Sequence, residues 1–184
     1  MTDQTNKVLT IPNMLTTVRI LLVPAFILAY SHRPGVLPVA ILAASALTDV
    51  LDGQIARRCN QVSDLGKLLD PIADKLTQGA MLICLLTRFP HLWIPLALMI
   101  VREAFVGITS LLAIKKSGRV EGAEVHGKVA TVMLYTMALT HLLFGNLPPA
   151  LSDGLIAVTT VAMVISFVMY AKKNLRIMRE AHDV

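Results

Sequence analysis

The stretch Asp49-Val50-Leu51-Asp52-Gly53-Gln54-Ile55-Ala56-Arg57 is followed by Gly66, Asp70 and Asp74, and together they decide the reading of this chain. They set four aspartates at the ends of two otherwise apolar segments. A charged side chain at mid-bilayer costs about 2.5–3.5 kcal/mol on insertion scales, and intramembrane acids mark functional sites. Four close together also repel one another. Divalent cations resolve both problems, because hard ions take oxygen ligands and cancel the charge. Asp49 and Asp52 are three residues apart and Asp70 and Asp74 four, so each pair shares one helical face a turn apart. Two such helices side by side point four carboxylates into one cleft. Gly53 and Gly66 remove side chains beside the carboxylates and allow close approach of backbone or ligand.

The rest of the chain reads as membrane helix. Of 184 residues, 55% are hydrophobic, too many for a water-soluble domain of this length. A bilayer core of about 30 Å needs about 20 helical residues per crossing. Six segments fit, at roughly 12–31, 37–57, 65–87, 92–114, 127–147 and 151–171. The second and third are apolar only over Leu37 to Thr48 and Leu76 to Thr87; their other halves carry the aspartates. The expectation is an all-α, integral-membrane bundle of six transmembrane helices forming one domain over residues 1–184. The polar start Met1 to Lys7, followed by a stretch long enough to span, predicts no cleaved leader.

Charge sets the topology. With six crossings, both termini and the loops near 58–64 and 115–126 share a side, which gathers Lys7, Arg57, Arg58, Lys115, Lys116, Arg119, Lys172 and Lys173. The opposite loops hold Arg33 and Arg88. The positive-inside bias puts both termini, and the aspartates, at the cytoplasmic face of the cell membrane. The net charge of +5 reflects this bias and attraction to anionic lipid. No soluble basic face suits a nucleic acid. Cys59, on a loop, and Cys84, within a helix, are not expected to form a disulfide, and the histidines lack zinc-ligand spacing. Pro12 suits a first helical turn, Ser63 a cap before Asp64, and Pro71 a kink between Asp70 and Asp74.

The pattern Asp-x2-Asp-Gly-x2-Ala-Arg-x8-Gly-x3-Asp-x3-Asp over residues 49–74 resembles the signature of the CDP-alcohol phosphotransferase family, with every position filled. Ile11-Pro12-Asn13-Met14-Leu15-Thr16-Thr17-Val18-Arg19 is similar to the family's bacterial N-terminal segment. Residues 65–77, Leu65 to Thr77, are most similar to phosphatidylglycerophosphate synthases. The resemblance implies an enzyme that moves the phosphatidyl group of CDP-diacylglycerol to glycerol 3-phosphate, using two Mg2+ or Mn2+ ions, and working as a homodimer in the lipid bilayer. It implies Asp49, Asp52 and Asp70 as metal ligands, and Asp74 as both a ligand and the general base. It implies Gly53, Ala56, Arg57 and Gly66 at the nucleotide and diphosphate. A guanidinium fork suits phosphate.

The acceptor side is read from isolated cations. Arg102 lies well inside the fourth segment and must face a partner or cavity. Its neighbour Glu103 is a candidate partner, although adjacent residues on a helix point about 100° apart. Arg119 and Lys128 flank the next loop and complete a candidate pocket for the acceptor phosphate. The chain has Gly107-Ile108-Thr109-Ser110 and Gly127-Lys128-Val129-Ala130-Thr131 where phosphatidylglycerophosphate synthases favour Gly-Leu-Arg and Gly-Lys-x-Lys-Thr. The second of these is closer to the cardiolipin-synthase branch, which makes phosphatidylglycerol the alternative acceptor. A cation transporter or channel is the alternative from another class, since intramembrane acids also line ion paths. The acids cluster near one face, with no comparable set continuing the path.

Overall fold

The computed structural model describes residues 10–33, 35–58, 64–117 and 125–180. Six α-helices account for nearly all of them: α1 (Ile11–His32), α2 (Val36–Arg58), α3 (Asp64–Leu86), α4 (Trp93–Ser117), α5 (Val125–Leu143) and α6 (Pro149–Glu180). A single 3₁₀ turn, Pro90–Leu92, leads into α4. No strand occurs among the described residues. Each helix falls where apolar patterning places it.

Three stretches are long and apolar enough to cross a membrane: Ile11–His32, Pro90–Thr109 and Pro149–Arg176. Less than a third of each is buried within the protein. Leu21 and Leu28 on α1, and Leu151, Val158, Val161 and Ile165 on α6, are all exposed. Apolar surface on that scale exceeds what water-soluble monomers leave open, and matches helices facing lipid. Hydroxyls follow the same logic. Thr17, Thr77, Thr109, Thr131, Thr136 and Thr140 each donate to a carbonyl one turn back. That satisfies them without water. The apolar criterion is not met by α2 and α3, which carry the aspartates, or by α5, whose His126, Lys128 and His141 dilute it.

Local chemistry fixes the helix ends. Thr10 caps α1, its hydroxyl accepting from the Asn13 N–H at 3.3 Å, and Pro12 sits in the first turn. At the other end the Arg33 N–H bonds to the Ala29 carbonyl. Gly35 follows with φ +149°, a conformation that side chains disfavour, and it allows the sharp reversal into α2. Cys59 and Ser63 lie outside the described residues, and α3 continues through Pro71.

Two compact units divide the chain. The first holds α1, α2 and α3 with Leu142–Gly145; α1 packs against both α2 and α3. Phe26, Tyr30, Leu42, Ala73, Met81 and Leu82 are buried there. In the second, α4 packs against α6. Phe105 and Phe167 meet edge to face, with centroids 5.2 Å apart. Buried His141 on α5 bonds through Nδ1 to the Met137 carbonyl and through Nε2 to the Ser152 hydroxyl on α6.

Candidate active site

Within the first unit, the buried face of α1 carries Asn13, Thr16 and Arg19, spaced one turn apart. Arg19 is 1% exposed and points at the aspartates of α2 and α3. Its Nη2 lies 2.8 Å from Asp49 Oδ1 and also bonds to Asp52 Oδ2, while its Nη1 donates to Asp74 Oδ1 at 3.0 Å. The Thr16 hydroxyl lies 2.6 Å from Asp70 Oδ1 and 3.4 Å from Asp52 Oδ2. One arginine and one threonine on α1 therefore touch all four acids.

Exposure divides the aspartates. Asp52 is buried, whereas the side chains of Asp49 and Asp74 are 49% and 43% exposed. Asp70 is half-buried. The site thus has a closed floor at Asp52 and Arg19 and an open rim at Asp49 and Asp74. The periodicity argument is realised: each pair lies on one face, and α2 and α3 present their acids to a common point. What stands at that point is a guanidinium.

The donor set suits a magnesium-type ion, since it is hard, anionic and rich in oxygen. Among the described residues, however, no three acidic, histidine or cysteine side chains form a metal-ligand group by themselves. Arg19 lies among the carboxylates and takes the charge-balancing role. The residues fit a divalent ion in chemistry, and Arg19 occupies their inner oxygens.

The other expected residues are placed unevenly. Gly53, Ala56 and Arg57 lie on α2, with side chains outside the described set, and Gly66 is buried on α3. Arg119 lies outside the described residues. Lys128 is exposed on α5. In the second unit Arg102 is buried, its Nη1 3.4 Å from Glu103 Oε1 and its guanidinium 5.5 Å from the centre of the Tyr170 ring. Glu103 is thus the partner its position next to Arg102 offered, and the helical angle does not prevent it: both side chains are long enough to curl round the helix and meet. His126 packs against the same Tyr170 ring, centroids 4.7 Å apart. Among the described residues, Arg102 Nε and His126 Nε2 are buried with no hydrogen-bond partner.

Sequence reasoning assigned no role to Arg19 or Thr16. The signal was present: an arginine inside an apolar helix with polar residues at every third position before it.

A sequence profile of CDP-alcohol phosphatidyltransferases matches residues 9–171, nearly the whole chain. The chain belongs to the CDP-alcohol phosphatidyltransferase family. Among named relatives of this family, a Rickettsia bellii protein named CDP-diacylglycerol–glycerol-3-phosphate 3-phosphatidyltransferase is 40% identical over 110 residues, covering 58% of this chain and 61% of that protein. A Pseudomonas fluorescens protein of the same name is 40% identical over 101 residues, 52% of each chain. These matches thus span between half and two thirds of the relatives' length. A Mycobacterium tuberculosis protein provisionally named a cardiolipin synthase is 34% identical over 185 residues, covering 95% of this chain and 87% of that protein.

Proposed function

We propose that the chain is a phosphatidyltransferase that transfers the phosphatidyl group of CDP-diacylglycerol to glycerol 3-phosphate and releases CMP. One observation carries this reading: Asp49, Asp52 and Asp74 converge on a single guanidinium, with Asp70 beside them on Thr16. Such a site suits a phosphate-rich ligand and its divalent counter-ions. The names of the Rickettsia and Pseudomonas relatives support the two substrates.

The roles follow from chemistry. Asp49, Asp52, Asp70 and Asp74 would hold two divalent ions, Mg2+ or Mn2+. Bound there, such ions neutralise the diphosphate and stabilise the leaving phosphate. The acceptor hydroxyl attacks the phosphorus on the diacylglycerol side. The bond from that phosphorus to the bridging oxygen breaks, and CMP leaves with the electron pair. Asp74, on the open rim, takes the hydroxyl proton. Gly53, Ala56, Arg57 and Gly66 are assigned to the nucleotide and diphosphate. Arg102, with Arg119 and Lys128, is assigned to the acceptor phosphate; the unpartnered Nε of Arg102 supports this.

The setting is a six-span bundle in the cytoplasmic membrane, one domain, with both termini and the aspartates on the cytoplasmic side. Lys and Arg asymmetry supports the orientation, and the single profile match supports one domain. Family resemblance supports a homodimer.

A second reading keeps the chemistry and changes the acceptor to phosphatidylglycerol, giving cardiolipin. The near full-length match to the mycobacterial relative favours it. An acceptor panel decides. Purified protein in detergent, with CDP-diacylglycerol and magnesium or manganese, is offered glycerol 3-phosphate, phosphatidylglycerol, inositol phosphate or serine while CMP is measured. The expected result is fastest release with glycerol 3-phosphate. Equal or faster release with phosphatidylglycerol would establish the second reading. No CMP with any acceptor, alongside cation flux in liposomes, would replace both with a transporter.

A further inference from the structure

The phosphatidyltransferase reading gives every signature aspartate a task but leaves Arg19 without one. We propose that Arg19 is a built-in competitor of the divalent ions. It holds the carboxylate cluster together when no ion is bound, yields Asp49, Asp52 and Asp74 when ions arrive, and then binds the diphosphate of the nucleotide-linked lipid. This rests on the metal-dependent reading above.

The geometry is that of an occupant rather than a bystander. Arg19 contacts three carboxylates from two different helices through only two of its nitrogens. Asp49 Oδ1 and Asp74 Oδ1 lie 2.8 and 3.0 Å from those nitrogens. A magnesium-type ion sits about 2.0–2.1 Å from its oxygens. An ion on either carboxylate would therefore stand within a few ångströms of a fixed positive charge, in a pocket where Arg19 is 1% exposed. The guanidinium end is buried, so the repulsion is only partly screened and ion and guanidinium compete for these oxygens.

Charge points the same way. Two divalent ions balance four carboxylates by themselves. Arg19 then becomes a surplus buried cation, and the anion that arrives with the substrate is a diphosphate. Guanidinium groups bind phosphate oxygens through paired donors. Arg19 also keeps a donor in reserve: its Nε is buried without a partner among the described residues. Buried donors are rarely left so, and this one is satisfied once a phosphate oxygen enters. Asp74 adds a final argument. Its Oδ1 accepts from Arg19 Nη1, and a carboxylate held by a guanidinium is a weaker base, so release from Arg19 favours its taking the substrate proton.

A purely structural ion pair makes the opposite prediction: removing Arg19 would loosen the cluster and weaken metal binding. Calorimetry with Mn2+ on the full chain in detergent, without lipid substrate, separates the two. Arg19→Gln is expected to bind Mn2+ about ten-fold more tightly than the wild type. Its melting temperature should fall in chelator, with the gap narrowing at saturating Mn2+. Binding of CDP-diacylglycerol to the metal-loaded variant should weaken about ten-fold or more. Arg19→Lys keeps the charge but cannot fork to three carboxylates, so its Mn2+ affinity should lie between the two; it serves alone if the glutamine variant does not fold. Mn2+ affinity unchanged or lower in whichever variant folds would overturn the proposal. So would undiminished CDP-diacylglycerol binding. Absence of Mn2+ binding in wild type and variants alike would remove the metal-dependent reading itself, and this inference with it.

Discussion

The Thr16 hydroxyl on α1 donates to Asp70 Oδ1 on α3 across 2.6 Å. The same oxygen lies 3.1 Å from the Pro12 carbonyl and 3.4 Å from Asp52 Oδ2, so its one proton is best placed for Asp70. This bond fixes the orientation of an acid that helical spacing alone only brings into the neighbourhood. With Arg19 one turn further on, α1 forms a third wall of the site, although it contributes none of the four acids.

Asp52 is the buried member of the cluster and the one shared by Arg19 and Thr16. Asp52→Ala leaves Arg19 with fewer counter-charges in a closed pocket. Removing one partner of a buried ion pair costs about 3–5 kcal/mol, less here because Asp49 and Asp74 remain. The expected outcome is loss of CMP release and a lower melting temperature in detergent. Asp49→Ala, on the open rim, should lose activity with a smaller fall in melting temperature. Thermal melts of the two variants side by side check this ordering.

Asp74→Asn keeps the shape and one carbonyl oxygen but cannot take the acceptor proton. General-base catalysis contributes about 10²–10⁴ in rate, and turnover should fall by that factor. Binding of CDP-diacylglycerol and Mn2+, measured by calorimetry, should persist. If metal binding is lost and excess metal restores turnover, Asp74 acts only as a ligand.

Arg102→Ala removes the guanidinium assigned to the acceptor phosphate. A charge-assisted hydrogen bond contributes about 1.5–3 kcal/mol, so KM for glycerol 3-phosphate should rise by about 10- to 100-fold. KM for CDP-diacylglycerol should stay near its wild-type value. Steady-state kinetics with each substrate varied in turn would read the difference, and a rise confined to the nucleotide substrate would contradict the assignment.

Gly127 lies against Tyr170, and a Cβ there would stand 2.6 Å from the tyrosine oxygen and 2.9 Å from a ring carbon. Gly127→Ala must displace the Tyr170 ring, which packs against Arg102 and His126. Overpacking of this kind costs about 1–3 kcal/mol, seen as a lower melting temperature. Tyr170→Phe in the same chain removes the closest clash and should recover part of the loss.

Much of the fold was legible because apolar runs and charge interruptions are local signals, and each of the six helices lies where they indicate. The convergence of Asp49, Asp52, Asp70 and Asp74 was legible for the same reason: spacings of three and four fix a face. Arg19 was not, because its partners lie on other helices and an arginine in α1 reads locally as an interruption. The Tyr170 ring over Arg102 was hidden likewise, being a contact between α6 and α4. The Arg102–Glu103 pair shows a different limit: Cα directions describe short side chains well and long ones poorly.

With 32 residues, α6 is about 48 Å long at 1.5 Å per residue, against a hydrocarbon thickness of about 30 Å. Its apolar stretch, Pro149–Arg176, carries Lys172, Lys173 and Arg176 at its far end. In a bilayer such a helix tilts, or carries turns beyond the lipid. Tyr170 and Asn174 lie near the end of that stretch and touch α4 and α5, so a change in tilt would be passed to the packing around Arg102.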